Sequence, residues 1–435
     1  MEVNQFEAGQ SVFFELVLLL SIVIDNSLQN TDSSTILDNM IPRPAYIEQL
    51  RRAERLPLLP VLTGIRRCGK SSILALYADD LLARDTDPSR ILRINMESLE
   101  FDALRDYRAM GRFVGEKLPH GGYLLLDEAQ EVDSWERLAA SLLAEGAVRC
   151  VLTGSNASLL SSDLGRLLTG RVFEIPVETL SFAELASIRN DASLDRLLSR
   201  YIRVGGFPVL HALEYDNDSA AAYSSTLVDA VLMRDVVQRH SIRDPDALKR
   251  ILAFAFDNVG SITSARRITE YWKSQRRSVS VDTTVNYLTY LCDSFLLRQV
   301  RRLDLRGRQH LEYGEKYYAG DVGLRRGLLG VRSSDIAGVV DNLVYLELVR
   351  RGWRVSVGVV GEREIDFVAQ KGESLCYYQV CAAIDTQSTI DRAFGALEAV
   401  DDQWPKAVIS LSPSPIAGRN GIPVILLQDF LLGVE

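Results

Sequence analysis

One loop motif restricts the fold of this chain more than any other feature of the sequence. It has the spacing G-x-x-x-x-G-K-S and reads Gly64-Ile65-Arg66-Arg67-Cys68-Gly69-Lys70-Ser71. An apolar run ends at Thr63 just before it, and apolar residues at helical spacing follow over residues 72–82. A strand, a loop and a helix in this order are the context that the motif requires. The sequence therefore predicts a phosphate-binding loop (P-loop) in a parallel α/β sheet.

The residue types in the loop suit the binding of a nucleotide. Backbone N–H groups of such a loop surround a phosphate, and the glycines allow the close approach. We predict that Lys70 reaches the β- and γ-phosphates, that Ser71 contacts Mg²⁺, and that the helix starting near Gly69 directs its positive end at the anion. ATP and Mg²⁺ are therefore the predicted cofactors, unless a glycine-containing turn matches the motif by chance. The predicted nucleotide-binding residues are Gly64, Ile65, Arg66, Arg67, Cys68, Gly69, Lys70, Ser71 and Ser72.

A second apolar run provides the acids that ATP hydrolysis needs. It ends in Asp127 and Glu128. We predict that Asp127 holds Mg²⁺ together with Ser71, and that Glu128 polarises the attacking water. Lys70, Asp127 and Glu128 are then the predicted catalytic residues. The alternative is an ordinary buried strand followed by an acidic helix cap.

Two more features are predicted to act on the nucleotide. A third apolar run ends at Ser155 and Asn156, and ligands of open α/β sheets bind beyond the carboxyl ends of the strands. These two residues are predicted to sense the γ-phosphate, with capping of the next helix as the alternative. Arg171 precedes the predicted strand at residues 172–175 and is interpreted either as an arginine finger in trans or as a surface charge. A finger in trans would require a homo-oligomer.

Length and charge limit the classes of protein to which the chain can belong. A chain of 435 residues with a net charge of −9 has room for several domains and is not a globally basic nucleic-acid binder. The five cysteines show no C-x-x-C pair, which predicts a reduced, cytoplasmic compartment. The apolar run of residues 11–24 contains Glu15 and is short for a membrane span, so neither an anchor nor a signal peptide is predicted. We interpret residues 1–39 as an N-terminal extension and Met40 as the natural start.

The rest of the chain is predicted to contain further domains. Residues 40–178 form the predicted ATPase core, and the helical periodicity of residues 179–240 predicts a helical lid. Residues 241–313 contain three short helical patterns and then a basic two-stranded ribbon, which together predict a winged helix. The ribbon carries arginines suited to the phosphates of double-stranded DNA, namely Arg298, Arg301, Arg302, Arg306 and Arg308. The alternative is a solvated edge ribbon that packs on a neighbouring domain.

Residues 314–435 are predicted to form another α/β unit. Within it Glu347, Asp366 and Gln379 follow the order helix, strand, strand, which resembles the acid set of restriction-type nucleases. In those enzymes a lysine two residues after the third ligand activates water, and here that position is Cys381. A cysteine supplies no fixed positive charge, so we predict that this nuclease-like site is degenerate and does not cleave DNA.

Taken together, these motifs resemble a known family. The matching stretches are residues 40–44, 63–71, 126–130, 152–155, 168–171, 316–324 and 364–367. They are similar to the predicted AAA-type ATPases of bacteria and archaea that bear an uncharacterised C-terminal domain. The resemblance implies ATP binding by an AAA+ core of the ASCE type, followed by a winged helix and a nuclease-like α/β domain. It also implies a binding rather than a cutting role for that last domain.

Three functions are compatible with these predictions. The first is a Mg²⁺-dependent ATPase that couples its nucleotide state to a C-terminal domain, which in turn binds DNA or a protein partner. The second is a nucleotide-gated scaffold or switch that turns over slowly, and the third is an ATP-dependent nuclease. Glu128 favours turnover, whereas Cys381 argues against cleavage.

Overall fold

The computed structural model describes residues 41–157, 168, 170–189, 193–212, 216–274, 279–307, 309–311, 314–330 and 336–434. The chain from Arg43 onward belongs to one unit. The predicted N-terminal extension, residues 1–39, lies outside the described residues, and so does Arg308 of the predicted ribbon. Within the described ranges, no helix is both long enough and apolar enough to cross a membrane.

The first sheet has five parallel strands in the order β2-β3-β4-β1-β5. The strands are β1 Leu59–Thr63, β2 Ile91–Asn95, β3 Gly122–Asp127, β4 Val148–Gly154 and β5 Val172–Pro176. The successive residues Val61 and Leu62 enter different hydrophobic cores, so both faces of the sheet are covered. The predicted parallel α/β core is thereby confirmed, and β4 lies between β1 and β3 as expected.

Four helices accompany this sheet. They are α1 Pro44–Glu54, α2 Lys70–Ala83, α3 Tyr107–Lys117 and α4 Trp135–Glu145. Helix α2 begins directly after Gly69, whose φ of +106° lies in the left-handed region that glycine adopts without strain. Ile73, Leu74 and Tyr77 of α2 are buried in the same core as Leu62 of β1. This packing fixes the N-terminus of α2 at the carboxyl end of β1.

The region predicted as a lid is helical. Its elements are α5 Phe182–Ile188, α6 Leu194–Val204, α7 Pro208–Ala212, α8 Asn217–Val231 and a π-helical segment, Leu232–Gln238. A capping box formed by Ser181 and Glu184 fixes the start of α5. The π-helical segment interrupts the regular α-helical bonding, and such turns are frequent at functional sites.

Three helices and a three-stranded antiparallel sheet follow. The helices are α9 Pro245–Asp257, α10 Ala265–Ser274 and α11 Val281–Asp293. The strands are β6 Ile262–Thr263, β7 Leu297–Val300 and β10 Glu315–Ala319, which pair in the order β6-β10-β7. The order helix, strand, helix, helix, strand, strand is compatible with the winged-helix interpretation, which stays a prediction.

An eight-stranded sheet ends the fold, in the order β15-β16-β14-β13-β12-β11-β8-β9. Its strands are β8 Arg302–Asp304, β9 Gln309–His310, β11 Arg354–Val360, β12 Arg363–Lys371, β13 Ser374–Cys381, β14 Lys406–Ser410, β15 Gly418–Arg419 and β16 Ile422–Leu426. The helices that follow β10 in the chain are α12 Val322–Leu329, α13 Ile336–Arg350, α14 Gln387–Glu398 and α15 Leu427–Leu432. Leu343 of α13 and Phe367 of β12 share one core, so α13 covers one face of this sheet.

The predicted basic ribbon forms only in part: β8 and β9 pair antiparallel as a hairpin, but residues 297–300 of its first predicted strand belong to another sheet. Strand β7 pairs with β10 in the three-stranded sheet, whereas β8 pairs with β11 in the eight-stranded sheet. Only Arg301 separates β7 from β8. The boundary predicted between residues 313 and 314 therefore does not divide the two sheets, because the chain enters the eight-stranded sheet at β8 and returns to the three-stranded sheet at β10.

Candidate functional site

The P-loop lies at the carboxyl end of β1 and packs against the segment that follows β5. A Cβ atom on Gly64 would lie 2.2 Å from the carbonyl oxygen of Val177, so only glycine fits this approach. Arg67 and Gly69 have positive φ angles, of 68° and 106°, which direct the loop into α2. The first turn of a helix has N–H groups without partners inside the helix. The loop thus presents a helix N-terminus at the place where a phosphate would bind.

Lys70 is buried against the loop that precedes it. Its ammonium group donates hydrogen bonds to the carbonyl oxygens of Gly64, at 2.9 Å, and Ile65, at 3.3 Å. The same group lies 4.0 Å from the carboxylate of Glu128. Two predicted catalytic residues are therefore brought together by β1 and β3, two strands that are not neighbours in the sheet.

Asp127 and Ser71 have the arrangement that their predicted metal role requires. The Ser71 side chain is hydrogen-bonded to Asp127, and Thr153 of β4 donates a second hydrogen bond to this carboxylate at 2.5 Å. Burial and the neighbouring charge of Glu128 raise the pKa of Asp127 to about 6, against the effect of these two bonds. Mg²⁺ prefers oxygen ligands and takes few of them from the protein when substrate phosphates supply others. Ser71 and Asp127 fit such an ion.

Glu128 has a backbone conformation that few non-glycine residues adopt. Its φ and ψ angles are both 54°, in the left-handed region, at a cost of roughly 1–3 kcal/mol. Its N–H donates to the Thr153 hydroxyl at 2.9 Å, and its carboxylate accepts a hydrogen bond from Gln130. Strain of this kind is concentrated at functional sites. Thr153 contacts both acids but was not among the predicted site residues, since its only sequence signal is its place two residues before Ser155.

The structure places the predicted sensors at the carboxyl ends of the strands and the predicted arginine finger at their amino ends. Ser155 and Asn156 are buried and follow β4, at the edge where the P-loop lies. Arg171 is exposed and precedes β5, and its carbonyl oxygen accepts a hydrogen bond from Leu59 at the start of β1. The sensor role of Ser155 and Asn156 and the role of Arg171 as a finger in trans both stay predictions.

Arg66 connects the P-loop to the helical region. Its guanidinium donates two hydrogen bonds to Asp235 of the π-helical segment, at 3.1 and 3.2 Å, and a third to Glu97 at 2.7 Å. Burial lowers the pKa of Arg66, but the bonds and charge of Asp235 outweigh burial and raise the pKa above its usual value. These contacts fix the π-helical segment beside the loop.

Arg298 is not available to nucleic acid. Its guanidinium pairs with Glu178 at 2.6 Å, and the exposed fractions of the two side chains are 16% and 3%. The prediction that Arg298 contacts DNA is therefore wrong, because the pairing of β7 with β10 turns this side chain toward the segment after β5. Arg301 and Arg306 are exposed and Arg302 is half-buried. The four described arginines of the ribbon therefore do not form one exposed cluster.

The structure brings together two of the three predicted nuclease-like residues. The amide of Gln379 donates a hydrogen bond to Asp366. Glu347 instead forms ion pairs at 2.8 Å with Arg350 and with Arg351. The assignment of Glu347 to this site is therefore wrong, because the turn of α13 places it on a different face of the helix.

Three residues that were not predicted lie around Asp366. The ammonium group of Lys316 on β10 is 2.8 Å from Glu364 and 3.5 Å from Asp366. Burial lowers the pKa of Lys316, but the two carboxylates outweigh burial and raise it. Burial and the charge of Asp366 raise the pKa of Asp341 on α13 well above its usual range. We call Lys316, Asp341, Glu364 and Asp366 the C-terminal cluster.

The C-terminal cluster lacks several features of a cleaving site. Burial and the charge of Asp366 raise the pKa of Cys381 to about 11, so the thiol at the expected lysine position is neutral at pH 7. Lys316 supplies a positive charge, but it is paired with Glu364 and Asp366. A metal ion would need these two carboxylates as ligands. Throughout the part of the chain that the structure describes, no three His, Cys, Asp or Glu side chains are arranged to hold a metal ion. Failure to cleave DNA stays a prediction.

Comparisons with known proteins bear on both halves of the chain. Residues 58–186 match a family model described as an AAA domain, and residues 195–335 match one described as a domain of unknown function. An uncharacterized protein of Haemophilus influenzae is 33% identical over 402 residues, which cover 90% of this chain and 99% of that protein. A second uncharacterized protein, from Methanocaldococcus jannaschii, is 26% identical over 390 residues, or 84% of each chain. A solved Walker-type ATPase of Pyrococcus abyssi aligns with 66% of this chain and 95% of its own, at 16% identity and a TM-score of 0.47.

Proposed function

Since this chain belongs to the family of the Haemophilus influenzae protein and contains an AAA domain at residues 58–186, we propose that it is a Mg²⁺-dependent ATPase. The observation that carries the proposal is the convergence of Lys70, Asp127 and Glu128 in one buried site. Thr153 joins the two acids by hydrogen bonds. Burying a lysine and two carboxylates is costly for stability, and such groups are concentrated at functional sites.

Each site residue would have a separate role in the transfer of a phosphoryl group from ATP to water. The N–H groups of the P-loop and the ammonium group of Lys70 would bind the β- and γ-phosphates. Ser71 and Asp127 would hold Mg²⁺, which when bound neutralises charge on the phosphate oxygens. Glu128 would orient the attacking water and accept its proton. Because Thr153 bonds to Asp127 and to the backbone of Glu128, a movement of β4 would displace both acids together.

For the C-terminal part we propose a protein partner rather than DNA. In a winged helix, α11 would be the helix that enters the major groove, and affinity for DNA needs cations against the phosphates. The exposed side chains of α11 include neither lysine nor arginine: they are Val281, Asp282, Val285, Asn286 and Thr289. Arg301 and Arg306 are exposed outside α11 and could contact phosphates. Double-stranded DNA is therefore the alternative binding partner of this part of the chain.

A phosphate-release assay on the purified protein tests both proposals. We expect release of phosphate from ATP in Mg²⁺, no release after chelation of the metal, and a rate that double-stranded DNA does not change. A parallel preparation of Lys70→Ala identifies any contaminating ATPase. Protein that neither binds nor hydrolyses ATP would rule out the ATPase. Stimulation by DNA that weakens with added salt would replace the protein partner by DNA.

The C-terminal cluster should leave DNA intact. Each catalytic group that is missing from a phosphodiester hydrolysis lowers the rate by about 10²- to 10⁴-fold. Here a cysteine, Cys381, occupies the position of the lysine that would activate water. Plasmid and oligonucleotide substrates incubated with the protein in Mg²⁺ or Mn²⁺ should therefore remain uncut, beside an Asp366→Ala control. Cleavage that disappears in Asp366→Ala would contradict this prediction, whereas cleavage that survives the substitution comes from a contaminant.

A further inference from the structure

Arg43 is almost completely buried beside the P-loop. Its guanidinium donates five hydrogen bonds: one to the carbonyl oxygen of Cys68 at 3.2 Å, two to that of Glu178 at 3.1 Å, and two to the carboxylate of Glu184 at 2.7 and 3.3 Å. The side chain is 3% exposed, and its Cζ lies 4.5 Å from the ring centre of Tyr46. A guanidinium has five N–H groups, so every donor of Arg43 is used.

These acceptors belong to the two ends of the P-loop. Cys68 lies inside the loop, directly before Gly69 and the start of α2. Glu178 follows Val177, whose carbonyl oxygen lies against Gly64 at the start of the loop. Arg43 therefore bonds the end of the loop directly, and it fixes the beginning of the loop through residues 177 and 178.

The position of Glu178 is fixed from a second direction. Its carboxylate pairs with Arg298 of β7 at 2.6 Å, and its N–H donates to the hydroxyl of Tyr46 at 3.2 Å. The guanidinium of Arg43 is in turn held by Glu184 in the first turn of α5. The contacts behind the loop thus come from α1, α5 and β7, and Arg43 is the side chain that joins them to the loop.

We propose that Arg43 is a positioning residue for the nucleotide site: it holds the P-loop in its phosphate-binding shape through Cys68 and Glu178, without touching the nucleotide. This role rests on the ATPase function proposed above. The planar fork of an arginine can bond two carbonyl groups and a carboxylate at once, whereas the single ammonium group of a lysine cannot. A merely structural ion pair with Glu184 would survive replacement of Arg43 by lysine.

The test compares two buried arginines that carry the same substitution. Arg43→Lys should lower kcat/KM for ATP about 10²-fold, because small displacements of positioning groups cost this much. Arg325 on α12 is also buried, at 9% exposure, and donates to the carbonyl oxygen of Phe256 at 2.7 Å, so this bond goes to α9 rather than to the P-loop. Arg325→Lys should lower the melting temperature like Arg43→Lys but keep wild-type kcat/KM. Millimolar guanidinium ion should restore part of the activity of Arg43→Ala.

Unchanged kcat/KM in Arg43→Lys, or an equal loss in the two lysine variants, would overturn the positioning role. If Arg43→Lys does not fold, Glu184→Gln provides the test, since it removes the charge that holds the guanidinium and preserves the shape. A several-fold loss of kcat/KM is expected there, and no loss would overturn the inference.

The wild-type protein separates this inference from the proposed function. If the wild type hydrolyses ATP and Arg43→Lys does so equally well, the ATPase stands and the positioning role of Arg43 falls. If the wild type neither binds nor hydrolyses ATP, both fall together.

Discussion

Replacement of Glu128 by glutamine is expected to slow ATP hydrolysis by about 10²- to 10⁴-fold and to leave ATP binding unchanged. The amide keeps the shape of the carboxylate but has no basic oxygen to accept a proton from the attacking water. The substitution does not remove the bond from the Glu128 N–H to Thr153, which holds the residue in its left-handed conformation. Single-turnover phosphate release and equilibrium binding of a fluorescent ATP analogue measure the two effects separately.

Glu116→Gln is the matched control for this experiment. Glu116 is exposed on α3, so the substitution makes the same change of charge away from the site. This control should hydrolyse ATP at the wild-type rate. Full turnover by Glu128→Gln would show that another group accepts the proton.

Replacement of Lys70 by alanine is expected to weaken ATP binding by roughly 30- to 4,000-fold. Truncating one partner of a buried charge pair costs about 2–5 kcal/mol, and about 1.4 kcal/mol corresponds to a tenfold change in affinity. The substitution also leaves the carbonyl oxygens of Gly64 and Ile65 without the ammonium group. Isothermal titration with ATP and Mg²⁺ measures the loss directly.

Lys117→Ala provides the comparison, because Lys117 is exposed at the end of α3. Its affinity for ATP should match that of the wild type. If Lys70→Ala also bound ATP like the wild type, the loop at residues 64–71 would not be the nucleotide site.

Much of the nucleotide site could be predicted because local signals determine it. The P-loop and its helix are contiguous in sequence, so the motif spacing alone places Lys70. Asp127 and Glu128 end an apolar run, and parallel strands bring their carboxyl ends to one edge of the sheet. The contacts of Thr153 and Arg43 depend on how distant segments pack, and a single sequence carries no local signal for such packing.

The full set of residues in the C-terminal cluster was also not predictable from the sequence, because they come together through the packing of distant segments. Asp341 and Glu347 both lie on α13, six positions apart, and a helix turns by about 100° per residue, so the two side chains leave different faces. Only the packing of α13 against the sheet decides that Asp341 is the one near Asp366. Lys316 arrives from a third element, β10. Burial of Arg298 likewise depends on strand pairing, whereas the local sequence favours a basic hairpin.

The short connection between the last two sheets has a mechanical consequence. A single residue, Arg301, is too short a linker for the two sheets to reorient independently at that point. A rotation of the eight-stranded sheet therefore acts on β7, which carries Arg298 and hence bears on Glu178 behind the P-loop. Suppose that a molecule binds the eight-stranded sheet and changes the affinity for ATP through this route. ATP must then change the affinity for that molecule by the same factor and in the same direction.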